Sequence, residues 1–112
     1  MDCIFCRIIS GEIKSDILYQ DEEVVAIRDI NPQAPTHILV LPRFHIASLT
    51  QVGADQKPLL GHMVYVASEL AKREGISKKG YRLVINSGAE AGQEVPHLHL
   101  HLLGGRALGK LG

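Results

Sequence analysis

Residues 95–105 read VPHLHLHLLGG, with His97, His99 and His101 alternating with Leu98, Leu100 and Leu102. Three of the six histidines in the chain lie within these five positions. In a β-strand, successive side chains point to opposite faces, so residues i, i+2 and i+4 share one face at steps of about 6.5–7 Å. The spacing therefore predicts a strand that buries three leucines and presents three imidazoles. On a helix the same residues would scatter around the circumference. Pro96 suits the first residue of such a strand, and Gly104-Gly105 ends it.

Three chemistries fit a histidine face: a polar edge exposed to solvent, a metal site, or covalent catalysis. Imidazole ligates zinc. With an unperturbed pKa near 6.5 it is also largely neutral and nucleophilic at physiological pH, and it forms covalent intermediates.

Composition narrows the field. The 112 residues suit a single domain, residues 1–112, with a real if modest core. Twelve basic and twelve acidic residues balance, which argues against a nucleic-acid polymer as partner but not against a single nucleotide. There is no run of eighteen apolar residues, so no membrane span is expected. The opening MDCIFCRIISGE lacks a long apolar segment of the signal-peptide kind, and the expected location is the cytoplasm.

The only cysteines are Cys3 and Cys6, in CIFC. A cytosolic disulfide is not expected. The pair reads as two buried thiols, as a redox motif lacking its βαβ context, or as half of a zinc site. Zinc needs two further ligands, and His45 and His97 are the candidates.

Working outward, CIFCRIISGE predicts a short helix ending at Gly11. DILYQD and EVVAIRDI, separated by Asp21-Glu22-Glu23, predict a hairpin. THILVLP is a strongly apolar strand stopped by Pro42, and RFHIASLTQV a short helical turn. Residues Asp55 to Glu74 form the clearest helix. Leu59, Leu60, Met63, Val64, Ala67, Leu70 and Ala71 make its stripe, Asp55 its cap, and Gly75 its end. YRLVINSG and the histidine strand follow, joined by SGAEAGQE as a hairpin loop. The expected fold is α+β: a mostly antiparallel five-stranded sheet, one long helix and a short N-terminal helix. No repeats or linkers interrupt it.

Gly88 and Gly92 allow that loop to approach a ligand closely, and Asn86 and Gln93 add uncharged hydrogen-bonding groups. Beside three histidines this corner suits phosphate oxygens. Asp29, between a strand and NPQAP, is either a turn former or an acceptor for a ribose diol.

HLHLHLL matches the pattern His-φ-His-φ-His-φ-φ, φ being apolar. With RDINPQAPTHILVLP, GYRLVINSG and AGQEVPHLHLHLLGGR, the chain resembles the histidine triad superfamily, in its Hint branch of histidine triad nucleotide-binding proteins, from about Cys3 to Arg106. The resemblance implies the histidine triad (HIT) fold and a homodimer whose two sheets join. It implies hydrolysis of purine nucleoside phosphoramidates, releasing AMP or GMP and an amine.

His99 would be the nucleophile, oriented by the His97 carbonyl. His101 would contact phosphoryl oxygens, and His37 would support the triad. Asn86, Gly92, Gln93 and Val95 would surround phosphate and ribose, and Asp29 would bind the ribose hydroxyls. Ile4, Phe5, Ile8, Ile27, Ile30 and Leu39 would form the base pocket. Resemblance to bacterial members with C-x-x-C implies a structural zinc on Cys3, Cys6, His45 and His97, with no cofactor needed for the chemistry. Two alternatives remain: a zinc-dependent hydrolase using the strand histidines, and a nucleotide-binding scaffold with little turnover.

The chain departs from the family in three places. Glu94 replaces the serine of animal members, so it either points away or contacts the leaving amine. Pro96 replaces an aromatic residue, and the tail RALGKLG is short and lacks Trp.

Overall fold

The computed structural model describes residues 3–111. Seven principal elements follow in chain order: helix α1 (Ile4–Ile9), strands β1 (Ile17–Gln20), β2 (Val24–Arg28) and β3 (Thr36–Pro42), helix α2 (Lys57–Arg73), and strands β4 (Tyr81–Val84) and β5 (Leu100–Gly104). The strands form one sheet in the order β1-β2-β3-β5-β4, with every neighbouring pair antiparallel. Asp21 makes the first hairpin: its Oδ1 accepts the N–H groups of Glu23 (2.8 Å) and Val24 (2.9 Å).

Both faces of the central strands are covered, which explains their unbroken apolar runs. Val24, Ala26, Ile38, Val40, Leu98, Leu100 and Leu102 pack with Met63, Val66, Ala67, Leu70 and Ala71 of α2. The alternate residues Val25, Ile27, Leu39 and Leu41 pack with Cys3, Phe5 and Ile8 on the α1 side. The histidines of the triad segment lie on this second side, where the Phe5 ring centroid is 5.8 Å from that of His97 and 5.1 Å from that of His99.

The structure corrects the expected boundaries in four places. Regular pairing of the histidine segment begins only at Leu100, so His97 and His99 precede β5. The register that pairs Val40 with Leu100 would set Pro42 opposite Leu98, but proline has no N–H to give to the Leu98 carbonyl, and Pro42 O is taken by the His97 Nε2–H. The Leu98 N–H donates instead to Ile46 O at 2.7 Å. The leucine–histidine alternation survives without the ladder. Second, β4 ends at Val84, so the connection to β5 spans residues 85–99 and contains a short 3-10 turn, Ala89–Ala91. It is a long loop and not a tight hairpin. Third, α2 is preceded by a 3-10 turn, Ala54–Gln56, and Asp55 does not cap it. Gln56 Oε1 accepts the Gly53 N–H at 3.0 Å. Fourth, only Leu49–Gln51 is helical within residues 43–52.

Leu102 is fully buried between the sheet and α2. Leu102→Ala is expected to lower stability by about 2–5 kcal/mol, read from urea unfolding.

Candidate active site

Helix α1 is capped by Cys3, whose Sγ accepts the Cys6 N–H at 3.4 Å. The C-x-x-C spacing is thus that of an N-cap and the third helical residue, which draws two sulfurs together at one helix end. His97 Nδ1 lies 3.4 Å from Cys3 Sγ and 3.6 Å from Cys6 Sγ, and His45 Nδ1 lies 3.3 Å from Cys6 Sγ. All four ligand atoms fall within 4.8 Å of one another. The Nε2–H of fully buried His97 donates to Pro42 O at 2.9 Å, leaving Nδ1 as a bare lone pair facing the sulfurs.

The backbone carbonyl of His97 has a different task. It accepts the Nδ1–H of His99 at 2.7 Å, which leaves His99 Nε2 unprotonated. A second chain of bonds orients His101. The Gln33 N–H donates to His37 Nδ1 at 3.0 Å, so neutral His37 carries its proton on Nε2. That nitrogen lies 2.9 Å from His101 Nδ1 and 3.5 Å from Asp29 Oδ2. His37 therefore donates to His101, and His101 keeps its own proton on Nε2. Burial pushes His37 below its ordinary pKa, opposed by Asp29. Burial first, and then the neighbouring His99 and His37, push His101 down to about 4. Adjacent imidazoles are set in opposite roles: His99 offers a lone pair, and His101 an N–H.

These groups open on a cleft of about 540 Å³. Ile4, Phe5, Ile8, Ile27 and Leu39 give it apolar surface, and Ile30 stands at its rim, 86% exposed. Asp29, His37, His99 and His101 lie along it, and Asn86, Gly92, Glu94 and Val95 form the wall supplied by the β4–β5 loop. Gly92 has φ of 86°, a left-handed conformation that glycine adopts without strain.

Gln93 is the exception among the residues assigned to this wall. Its amide donates to Ala47 O (2.7 Å) and Val95 O (3.0 Å), and its Oε1 accepts the Gly88 N–H (2.9 Å). The carboxamide is saturated by backbone, and Gln93 braces the loop instead of facing the cleft. Glu94 is also among the residues that line the cleft. Ser15, Arg28, Asn31 and Gln33 also line it and were not foreseen. Arg28 and Gln33 carry no spacing signal, because one acts through a bidentate pair with Glu74 (2.8 and 2.9 Å) and the other through its backbone.

A model of the HIT domain matches residues 10–108. The chain belongs to the HIT family. It is 52% identical over 110 residues to a purine nucleoside phosphoramidase of Escherichia coli K12, covering 98% of this chain and 92% of that protein. A HIT family hydrolase from Legionella pneumophila superposes with a TM-score of 0.95 at 48% identity, covering 96% of each chain. A histidine triad protein from Clostridium difficile gives a TM-score of 0.96 at 43% identity, covering 100% of this chain and 97% of the other. Among the described residues of this HIT domain, no helix is long and apolar enough to cross a membrane.

Between about pH 6.5 and 4 the unfolded chain binds a proton at residue 101 that the folded chain refuses. The stability present above pH 6.5 is therefore expected to fall as pH drops toward 4. Urea midpoints across that range, with the imidazole resonances of His101 followed by NMR, check both parts. A His101 titration centred near 6.5 would contradict the burial argument.

Proposed function

We propose that this HIT protein hydrolyses purine nucleoside phosphoramidates through a nucleotidyl-histidine at His99. The observation that carries the reading is the His99–His97 hydrogen bond, which leaves Nε2 as an unprotonated nucleophile in the cleft. The relative named a purine nucleoside phosphoramidase supports the substrate class.

In the first step the Nε2 lone pair attacks the α-phosphorus. The P–N bond breaks, its electron pair stays on the amine nitrogen, and that nitrogen takes up a proton. Water then attacks the phosphorus and gives up a proton, which makes good the one taken up by the amine, the His99 Nε2–P bond breaks, and the lone pair returns to His99. The sum is phosphoramidate plus water giving nucleoside monophosphate plus amine. His101 Nε2–H donates to phosphoryl oxygen, and its orientation, fixed by His37, needs no reorganisation as charge builds. Asn86 and the backbone at Gly92 and Val95 enclose the phosphate. Asp29 accepts from the ribose hydroxyls, and the isoleucines with Phe5 and Leu39 hold the base. An apolar slot with few polar groups discriminates weakly between adenine and guanine.

Cys3, Cys6, His45 and His97 fit a structural zinc. Their sulfur–nitrogen separations of 3.3–3.6 Å match the edges of a tetrahedral site, about 3.5 Å for zinc bond lengths. The donation of His97 Nε2–H to Pro42 supplies the outer hydrogen bond that metal-bound imidazoles make. A zinc there, with four protein ligands, supplies structure, tying α1 to the segment that orients His99. The alternative of a catalytic zinc on the strand histidines is disfavoured. Among the described residues, the two groups with converging ligand atoms each contain just one of the three.

The open sheet edges, β1 and β4, leave room for the sheet-joining homodimer the family resemblance implies. Cysteines kept reduced, as that zinc site needs, fit a cytoplasmic location. The balanced charge supports a nucleotide partner over a nucleic-acid polymer, and membrane attachment is not part of the reading.

Adenosine phosphoramidate hydrolysis tests the chemistry. Wild type should turn over, and His99→Ala should lose more than about a thousandfold in kcat while still binding AMP. AMP binding by wild type without turnover would make the chain a scaffold instead. Metal analysis should find one zinc per chain, and chelation should lower Tm while sparing the chemical step. Loss of activity on chelation, with fold and AMP binding intact, would overturn the mechanism.

A further inference from the structure

The cleft holds two carboxylates, and the strand register sets them toward opposite ends. Asp29 follows β2, and its N–H donates to His37 O at 3.0 Å. His37 pairs with Leu103 and Leu39 with His101, so travel along β5 toward its N-terminus leads from the Asp29 end past His101 to His99. Glu94 lines the cleft from the β4–β5 loop, in the segment that leads directly into His97 and His99. Its neighbour Gln93 is bonded to Ala47 O, next to Ile46, whose carbonyl holds the Leu98 N–H. The register orders Asp29, His101 and His99 along the cleft, and Glu94 comes from the loop that enters the strand at the His99 end. With ribose at Asp29 and phosphorus at the two histidines, the leaving amine extends toward Glu94.

Glu94 makes no hydrogen bond or ion pair among the described residues. Among the described residues, no free cation lines the cleft beside it. Arg28, the one Lys or Arg among the lining residues, is bonded twice to Glu74 and lies 3.6 Å from Asp16. The imidazoles of His37 and His101 enter as neutral N–H donors. A nucleoside phosphoramidate monoester brings its own negative charge into this setting, so an unpaired carboxylate repels a substrate whose leaving group is neutral. The repulsion is offset when the leaving group carries a positive charge within reach of Glu94.

We propose that Glu94 is a specificity-determining residue that selects leaving amines bearing a second, cationic group, such as diamines and other basic amines. This rests on the phosphoramidase reading and names its substrate class. The chain is neutral overall, so a preference for cationic substrates must come from local charge.

The test compares kcat/KM for two adenosine 5′-phosphoramidates of equal length, one of butylamine and one of 1,4-diaminobutane joined through a single nitrogen. Wild type should favour the cationic substrate by about threefold to fivefold at low ionic strength, the range of a solvent-exposed ion pair. The ratio should shrink in 0.5 M salt, as screening requires at roughly that concentration. It should fall to about one in Glu94→Gln, survive in part in Glu94→Asp, and invert in Glu94→Lys. Glu94 is exposed, so these variants should fold, and circular dichroism checks that. A wild-type ratio near one, or a ratio unchanged in Glu94→Gln, overturns the proposal while butylamide turnover leaves the phosphoramidase reading standing. Failure of wild type to cleave either substrate overturns both.

Discussion

His97 is fully buried, and three of its polar atoms are each committed to a different part of the molecule. Its Nε2–H holds the carbonyl of Pro42 at the end of β3. Its Nδ1 faces the two sulfurs at the start of α1. Its backbone oxygen takes the proton of His99. A buried polar group left without a partner costs more than a satisfied one returns, so none of these bonds can be exchanged freely. The sheet, the short helix and the His99 imidazole are thereby registered against one another through a single residue.

The same logic accounts for the contrast between His99 and His101. Side by side, with ring centroids 5.0 Å apart, they share one environment in its broad features. What distinguishes them is the group on each Nδ1. A carbonyl can only accept, so His99 must donate to it and exposes a lone pair. The Nε2–H of His37 donates, so His101 must accept and exposes an N–H. The Gln33 backbone, two bonds away, decides this by fixing which nitrogen of His37 is protonated. The opposing chemical roles thus originate in backbone groups, which do not titrate.

Much of this was legible in the residues because periodicity is a local property. Alternating His and Leu specified a two-faced segment, the apolar stripe from Leu59 to Ala71 specified a helix, and Asp21-Glu22-Glu23 specified a turn. Boundaries were less legible where a partner strand controls them. Nothing within residues 95–101 reveals that Pro42 lacks the N–H to pair with the Leu98 carbonyl and spends its own carbonyl on His97. Gln93 misled for a related reason: a glutamine near a phosphate corner reads as a ligand group, yet three backbone groups from two segments saturate it. Glutamine side chains are long enough to serve either end, and only the fold decides which.

The sequence by itself determined which residues share a face, the short list of chemistries that face can perform, and the placement of both cysteines at one short helix. These follow from bond geometry repeated every two or three to four residues. The tertiary structure alone decided which nitrogen of each histidine is protonated, that His45 and His97 meet Cys3 and Cys6, and that Glu94 lines the cleft without a partner. Those outcomes depend on groups separated by as many as 94 residues in the chain, as for Cys3 and His97. No local pattern carries such information, because the partner of a buried polar atom is whichever group the packed sheet brings within 3 Å or so.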